Sequence, residues 1–164
     1  MTVQKLIPWS HLVLTLSGVY EILAGNQGLI GWVLFIIGLA GLHARQAKKA
    51  GWYGYVGLAI LVLGSILSLI PVLTGNNLFS NDQMLTPTVN RIVYLLLETS
   101  LVVQTGYFLY GLASLKAGIF PQAVSLLLVI TVVMMIVAGN FGQGLAMTAI
   151  GILLWINKPA AEPV

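Results

Sequence analysis

The sequence contains no cysteine. Disulfide bonds, thiolate metal sites, thioether-linked haem and cysteine nucleophiles are therefore excluded. Charge is almost as scarce, because seven Lys or Arg and four Asp or Glu make up only 7% of the 164 residues, against about 25% in an ordinary soluble domain. So few charges cannot cover a water-facing surface, and the composition excludes a soluble enzyme, a disordered chain and a coiled coil.

Several motifs of catalysis are also missing. The sequence has no Gly-x4-Gly-Lys phosphate loop, no His-Glu-x-x-His zinc helix and no Gly-x-Ser-x-Gly nucleophile elbow. With two histidines and four acidic residues, hydrolysis and group transfer have few possible participants. We therefore predict a non-catalytic protein that requires no cofactor. Its basic residues are spread along the chain and form no groove-reading element, so nucleic acid is not a predicted partner.

The chain is rich in apolar sequence, with 59% hydrophobic residues. Runs such as Val33–Leu42 lack the alternation of a membrane β-strand, and most runs approach the roughly 17–25 residues of a helical span. We predict one all-α domain, residues 1–164, folded as a polytopic transmembrane helical bundle. The six predicted spans are about 7–24, 28–44, 52–73, 89–115, 121–138 and 142–157.

The breaks between spans recur along the chain. An Ala-Gly-Asn sequence occurs at 24–26 and again at 138–140, and Gly and Asn tolerate the left-handed conformation that ends a helix. Two basic links, at 45–51 and 116–121, join the units. The pattern predicts three helical hairpins.

The distribution of basic residues predicts the orientation. With six spans, both termini and both links lie on one side of the membrane, together with six of the seven Lys and Arg residues. Arg91 is the only basic residue predicted on the other side. Cytoplasmic segments are enriched in Lys and Arg, so both termini are predicted to be cytoplasmic, in a bacterial inner membrane. The basic residues of the links are predicted to contact anionic lipid headgroups. They are Arg45, Lys48, Lys49 and Lys116.

Polar residues within the predicted spans require an explanation, because they are costly in a bilayer. Arg91, Tyr94 and Glu98 share one face of the fourth span, and Glu21 on the first span lies at a similar depth. One interpretation is structural, with Arg91 paired mainly to Glu21 and Glu98 neutral or bonded to Tyr94. The other is a proton or cation site with Glu98 as the carrier.

Two further patterns leave alternatives open. His11 and His43 flank a turn centred near residue 26 or 27, so an antiparallel hairpin places them at similar heights. Two imidazoles so placed could hold a haem, one alone could contact a pigment, and His43 could simply be solvated. Small residues repeat at helical spacing on two later spans, and such stripes serve close packing within a chain or between chains. These stripes are Gly57, Leu61, Gly64 and Ser68, and Gly144, Thr148 and Gly151.

The stretch from Tyr110 to Pro121 carries a Gly-Leu pair, a basic residue and a Gly-x-x-Pro link before an apolar helix and Gly139. It resembles small multi-helix bacterial inner-membrane families that are largely uncharacterised, over about the last third of the chain. The resemblance implies a helical bundle and no particular activity.

The first functional hypothesis is an accessory or scaffolding subunit of a larger membrane complex, with membrane lipids and other subunits as partners. The second is a small transporter or ion-translocating protein that uses Glu98, Glu21 and Arg91. The third is a pigment- or haem-binding subunit that uses His11 or His43. The sequence does not distinguish partner, substrate or oligomeric state.

Overall fold

The computed structural model of this protein describes residues 8–24, 28–74 and 101–157, and it describes their side chains except at 28 and 69–74. These residues form four helices, which confirms the all-α class. The helices are α1 (Ser10–Ala24), α2 (Gly28–Thr74), α3 (Leu101–Ala117) and α4 (Gln122–Ile156).

A single glycine divides each of the two long helices. Gly51 has φ 60° and Gly139 has φ 57°, a conformation that glycine adopts without steric cost. The rings of His43 and Tyr55 lie 4.6 Å apart, although twelve residues of continuous helix would span about 18 Å. The chain therefore reverses at Gly51. We call the segments on its two sides, 28–50 and 52–74, α2a and α2b.

The reversal in α4 is equally tight. Gly142 packs directly against the carbonyl of Met134, eight residues earlier in the chain, which is possible only if the backbone turns back on itself at Gly139. The two resulting segments, 122–138 and 140–156, are called α4a and α4b.

The basic link after α2a differs from its prediction. The sequence predicted a helix end near residue 44 and a link over 45–51, but the helix continues through Ala50 and only Gly51 departs from helical geometry. The reason is that Ala, Gln, Arg and Lys, which fill this link, are good helix formers. At the second link the helix continues to Ala117, two residues past its predicted end. Gly118 follows at φ 62°, and its N–H donates to the carbonyl of Ser114 at 3.2 Å.

Two stretches, Leu29–Ser68 and Gln122–Ile156, are long and apolar enough to cross a membrane by length and composition. The α1 helix is apolar but has only 15 residues. The structure thus supports a membrane location, whereas the six crossings stay a prediction.

The four helices form a closed ring. The first helix, α1, packs against α2 and α4, and α3 packs against the same two helices. Close approach of α1 to α4b depends on paired glycines, because a Cβ on Gly18 would lie 2.5 Å from the carbonyl oxygen of Gly144. A Cβ on Gly144 would in turn lie 2.9 Å from the carbonyl oxygen of Gly18. The first and last helices therefore touch backbone to backbone.

A second glycine contact joins α2b to α3. A Cβ on Gly106 would lie 2.6 Å from the Cα of Leu61, and one on Gly57 would lie 2.7 Å from the backbone nitrogen of Tyr110. Such contacts leave room for no side chain at these positions. Both small-residue stripes therefore serve packing within the chain, one of the two alternatives that the sequence left open.

The outer surface is apolar. Large hydrophobic side chains are exposed on all four helices, whereas a soluble monomer rarely exposes contiguous apolar patches of this extent. Examples are Leu16, Val33, Leu63, Leu112, Val133 and Val137. The surface is therefore suited to contact with hydrocarbon.

Candidate functional site

Glu21 is the acidic side chain of the described residues, and α1 places it in the bundle interior. It is fully buried, at 0% exposure. One turn earlier, the buried Ser17 Oγ donates a hydrogen bond to the carbonyl oxygen of Gly31 at 3.1 Å, which fixes α1 against α2a. The Gly18–Gly144 contact holds the same helix against α4b. Packing on two sides thus sets the position of the Glu21 carboxyl group.

Two uncharged polar residues accompany Glu21. Tyr107 on α3 is fully buried, and Gln143 Nε2 on α4b donates a hydrogen bond to its hydroxyl at 3.1 Å. The tyrosine hydroxyl lies 3.7 Å from Met147 Sδ, and Glu21 is close enough to Tyr107 to interact with it electrostatically. Three helices therefore bring Glu21, Tyr107 and Gln143 together in what we call the carboxyl cluster.

The carboxyl cluster combines one ionisable group with a hydroxyl and an amide. A carboxylate removed from water is costly unless a proton, a cation or a paired charge neutralises it. The amide of Gln143 occupies an acceptor position on the Tyr107 hydroxyl, and the hydroxyl donates its own proton to Met147 Sδ at 3.7 Å, so Glu21 is the ionisable member of the cluster. The arrangement is therefore chemically able to exchange a proton or to hold a small cation.

The other predicted members of the buried polar set, Arg91, Tyr94 and Glu98, lie outside the described residues. Their pairing with Glu21 stays a prediction. The sequence analysis missed Tyr107 and Gln143. The available signal was the presence of an amide and a phenol in the middle of otherwise apolar helices, where polar groups need an explanation.

A second set of buried polar groups lies where α2a meets α3. His43 is 8% exposed, and its ring lies 6.0 Å from that of Tyr110. Gln46, one turn further along α2a, lies near the Tyr110 hydroxyl. Within the described part of the chain, the His43 ring nitrogens, the Gln46 amide and the Tyr110 hydroxyl make no hydrogen bond. Since buried polar groups are normally satisfied, these groups retain capacity for further hydrogen bonds.

The two histidines have different surroundings. His43 packs against the rings of Tyr55 and Tyr110 and is buried. The alternative in which His43 is simply solvated is therefore wrong. The backbone oxygen of His11 accepts a hydrogen bond from Thr15 Oγ1 at 2.9 Å and lies beside Gly151. A haem or pigment contact through either ring stays a prediction. Among residues 8–24, 28–74 and 101–157, no group of three or more His, Cys, Asp or Glu side chains is placed to hold a metal ion.

The four predicted headgroup residues lie near the two turns of one end of the bundle. Lys48, Lys49 and Lys116 are exposed, and Arg45 is half-buried. The turns are adjacent, because a Cβ on Gly54 would lie 3.9 Å from the Cβ of Ala113. The positive charge of the described residues is therefore collected at one end, which we call the basic end.

No protein-family model, curated protein or solved structure matches this chain. The similarity of the last third to bacterial inner-membrane families accordingly stays a resemblance. The buried polar groups and the basic end are the features that bear on function.

Proposed function

We propose that this chain is an integral membrane protein that crosses a bacterial inner membrane six times and translocates protons or a small cation, with Glu21 as the carrier. The observation that carries the proposal is the complete burial of Glu21 beside Tyr107 and Gln143 from two other helices. An ionisable residue that faces the interior of a membrane bundle is by default a candidate functional site, since such residues mark ion pathways and proton relays.

The reversals in α2 and α4 support six crossings. Each reversal converts one long helix into two antiparallel segments, and together with α1 and α3 this gives six helical segments. Exposed apolar side chains on all helices supply the lipid-facing surface. The basic end then corresponds to the cytoplasmic face, where Lys and Arg are enriched.

Reporter fusions test this topology. A fusion after Lys158 is expected to be active as a cytoplasmic reporter, and a fusion near Asp82 as a periplasmic one, because an even number of crossings returns the chain to the side of the basic end. A periplasmic C-terminus would contradict six crossings and would indicate that one segment does not span.

Tyr107 and Gln143 are positioning residues in this proposal. The Gln143 amide orients the Tyr107 hydroxyl, and Tyr107 lies within electrostatic reach of Glu21. A buried carboxylate is stable only when a proton, a cation or a neighbouring charge balances it, and the proposed step is the exchange of that proton or cation at Glu21.

The activity is measured with purified protein in sealed vesicles that contain a pH-sensitive dye. We expect a membrane potential set by potassium and valinomycin to drive proton entry in proportion to the amount of protein. A parallel assay with labelled sodium distinguishes a cation from a proton. Vesicles that stay as tight to both ions as protein-free vesicles would overturn the proposal.

The accessory-subunit hypothesis also stays a prediction, motivated by the scarcity of reactive groups in the sequence. Isolation from native membranes in a mild detergent tests it, since an accessory subunit co-migrates with stoichiometric partners. The absorption spectrum of the same preparation tests the pigment or haem hypothesis, because a bound haem gives an intense visible band. A colourless, homogeneous protein would contradict both.

A further inference from the structure

A groove opens at the basic end, between the start of α2b and the end of α3. Its volume is about 450 Å³, within the range of about 300–1,000 Å³ that accommodates small ligands. Its wall is apolar and aromatic, apart from one amine at its margin. The residues that define it are Trp52, Tyr53, Val56, Leu109, Leu112 and Lys116.

The aromatic wall holds the amine in place. The rings of Trp52 and Tyr53 are stacked, with centroids 4.0 Å apart, and the Lys116 ammonium lies 5.4 Å from the centre of the Tyr53 ring. A cation over an aromatic face is attracted by the ring, and the ammonium carries three donors. Lys116 is therefore oriented at the groove and keeps donors for an anionic group.

The groove is open to the surroundings of the protein. Trp52 is 63% exposed and Tyr53 is 52% exposed, so the aromatic wall has one face that the bundle does not cover. Lys48 and Lys49, exposed on the other side of the Gly51 turn, add positive potential at the same end. The groove thus has a hydrocarbon-lined part and a cationic part, as an amphiphile with an anionic head requires.

We propose that this groove binds one anionic phospholipid, with an acyl chain along Val56, Leu109 and Leu112 and the phosphate at Lys116. The positive charge of Lys116 at one end of the groove favours an anionic ligand over a neutral apolar one. Trp and Tyr also favour the headgroup level of a membrane, which is where a phosphate would lie. This assignment is independent of ion translocation through the carboxyl cluster.

The experiment compares lipids that differ only in headgroup charge. Protein in nanodiscs of phosphatidylcholine is titrated with phosphatidylglycerol of the same acyl chains, and bound lipid is counted by native mass spectrometry alongside a thermal unfolding scan. We expect one retained phosphatidylglycerol and a higher unfolding temperature, because a ligand that binds the native state stabilises it.

Two lysine variants supply the matched comparison. Lys116→Gln keeps a polar side chain and removes the charge, and it is expected to weaken phosphatidylglycerol binding by more than the roughly fivefold effect of a basic residue near an anionic membrane, because it also removes the direct contact with the phosphate. Lys49→Gln removes a charge at the same end but does not line the groove, so it should weaken binding less than Lys116→Gln does. Leu112→Trp fills the groove and should expel the lipid while Lys116 remains.

Equal losses in the two lysine variants would overturn the proposal, since they would indicate a general attraction to the basic end. Retention of phosphatidylglycerol by Leu112→Trp would also overturn it. Competition by inorganic phosphate at the same concentration as the lipid would show a phosphate site without an acyl-chain site. None of these measurements depends on ion flux, so the lipid proposal and the proposed ion translocation can fail separately.

Discussion

Replacement of Glu21 by glutamine is expected to reduce ion flux to the level of protein-free vesicles while the bundle stays folded. Glutamine has nearly the same shape as a protonated glutamic acid and keeps an acceptor oxygen, so the buried site beside Tyr107 loses no volume. What it loses is the capacity to exchange a proton or to neutralise a cation. The measurement is flux in sealed vesicles, with helix content and unfolding temperature recorded on the same preparation.

Ser17→Ala is the matched control for Glu21→Gln. Ser17 is also fully buried on α1, one turn away, and donates a hydrogen bond to Gly31. Its loss is expected to cost about 1 kcal/mol of stability and to leave most of the flux, because the Gly18–Gly144 contact still holds α1 in place. Wild-type flux in Glu21→Gln would contradict the role of Glu21. If Glu98→Gln were then inactive, the carrier would be the residue that the transport hypothesis first favoured.

Gly106→Val is expected to have the largest effect on folding. The Cβ alone would lie 2.6 Å from both the backbone nitrogen and the Cα of Leu61, so α2b and α3 must separate. Overpacking typically costs about 1–3 kcal/mol and sometimes more, and here the obstacle is backbone rather than a flexible side chain. We expect a large drop in unfolding temperature in detergent, or aggregation on extraction.

Ala59→Val distinguishes the loss of close packing from the presence of valine itself. Ala59 lies on α2b, near Gly57, but is exposed, so the added methyl groups meet no neighbouring helix. Its effect on stability should stay within about 0.5 kcal/mol. Gly106→Ala, which adds a single carbon, should fall between the two. Similar unfolding temperatures for Gly106→Val and Ala59→Val would contradict the close contact between α2b and α3.

The class of the fold could be predicted from sequence because it depends on composition. Long apolar runs without alternation indicate helices in any environment. A glycine between two such runs indicates where one helix ends and the chain can reverse. The end of α2a was less predictable, since the same Arg and Lys residues that indicate a link at the membrane surface also favour helix. Only Gly51 carries an unambiguous signal for the end of that segment.

The carboxyl cluster was predictable only in part. Glu21 stands out because a charged residue in an apolar run is rare and costly. Tyr107 and Gln143 carry no charge, and nothing local shows that α3 and α4b turn these residues toward α1. Which apolar faces meet is decided by the fit of many small contacts, such as Gly18 against Gly144, and a single sequence does not encode that choice in any short pattern.

The contact of α1 with α4b has a consequence for biogenesis. The ribosome delivers the chain from its N-terminus, so α1 is complete before residues 140–156 exist. A half-made chain therefore presents Gly18 without the Gly144 backbone that finally packs against it. A premature stop that removes α4b would leave the glycine face of α1 permanently without that partner.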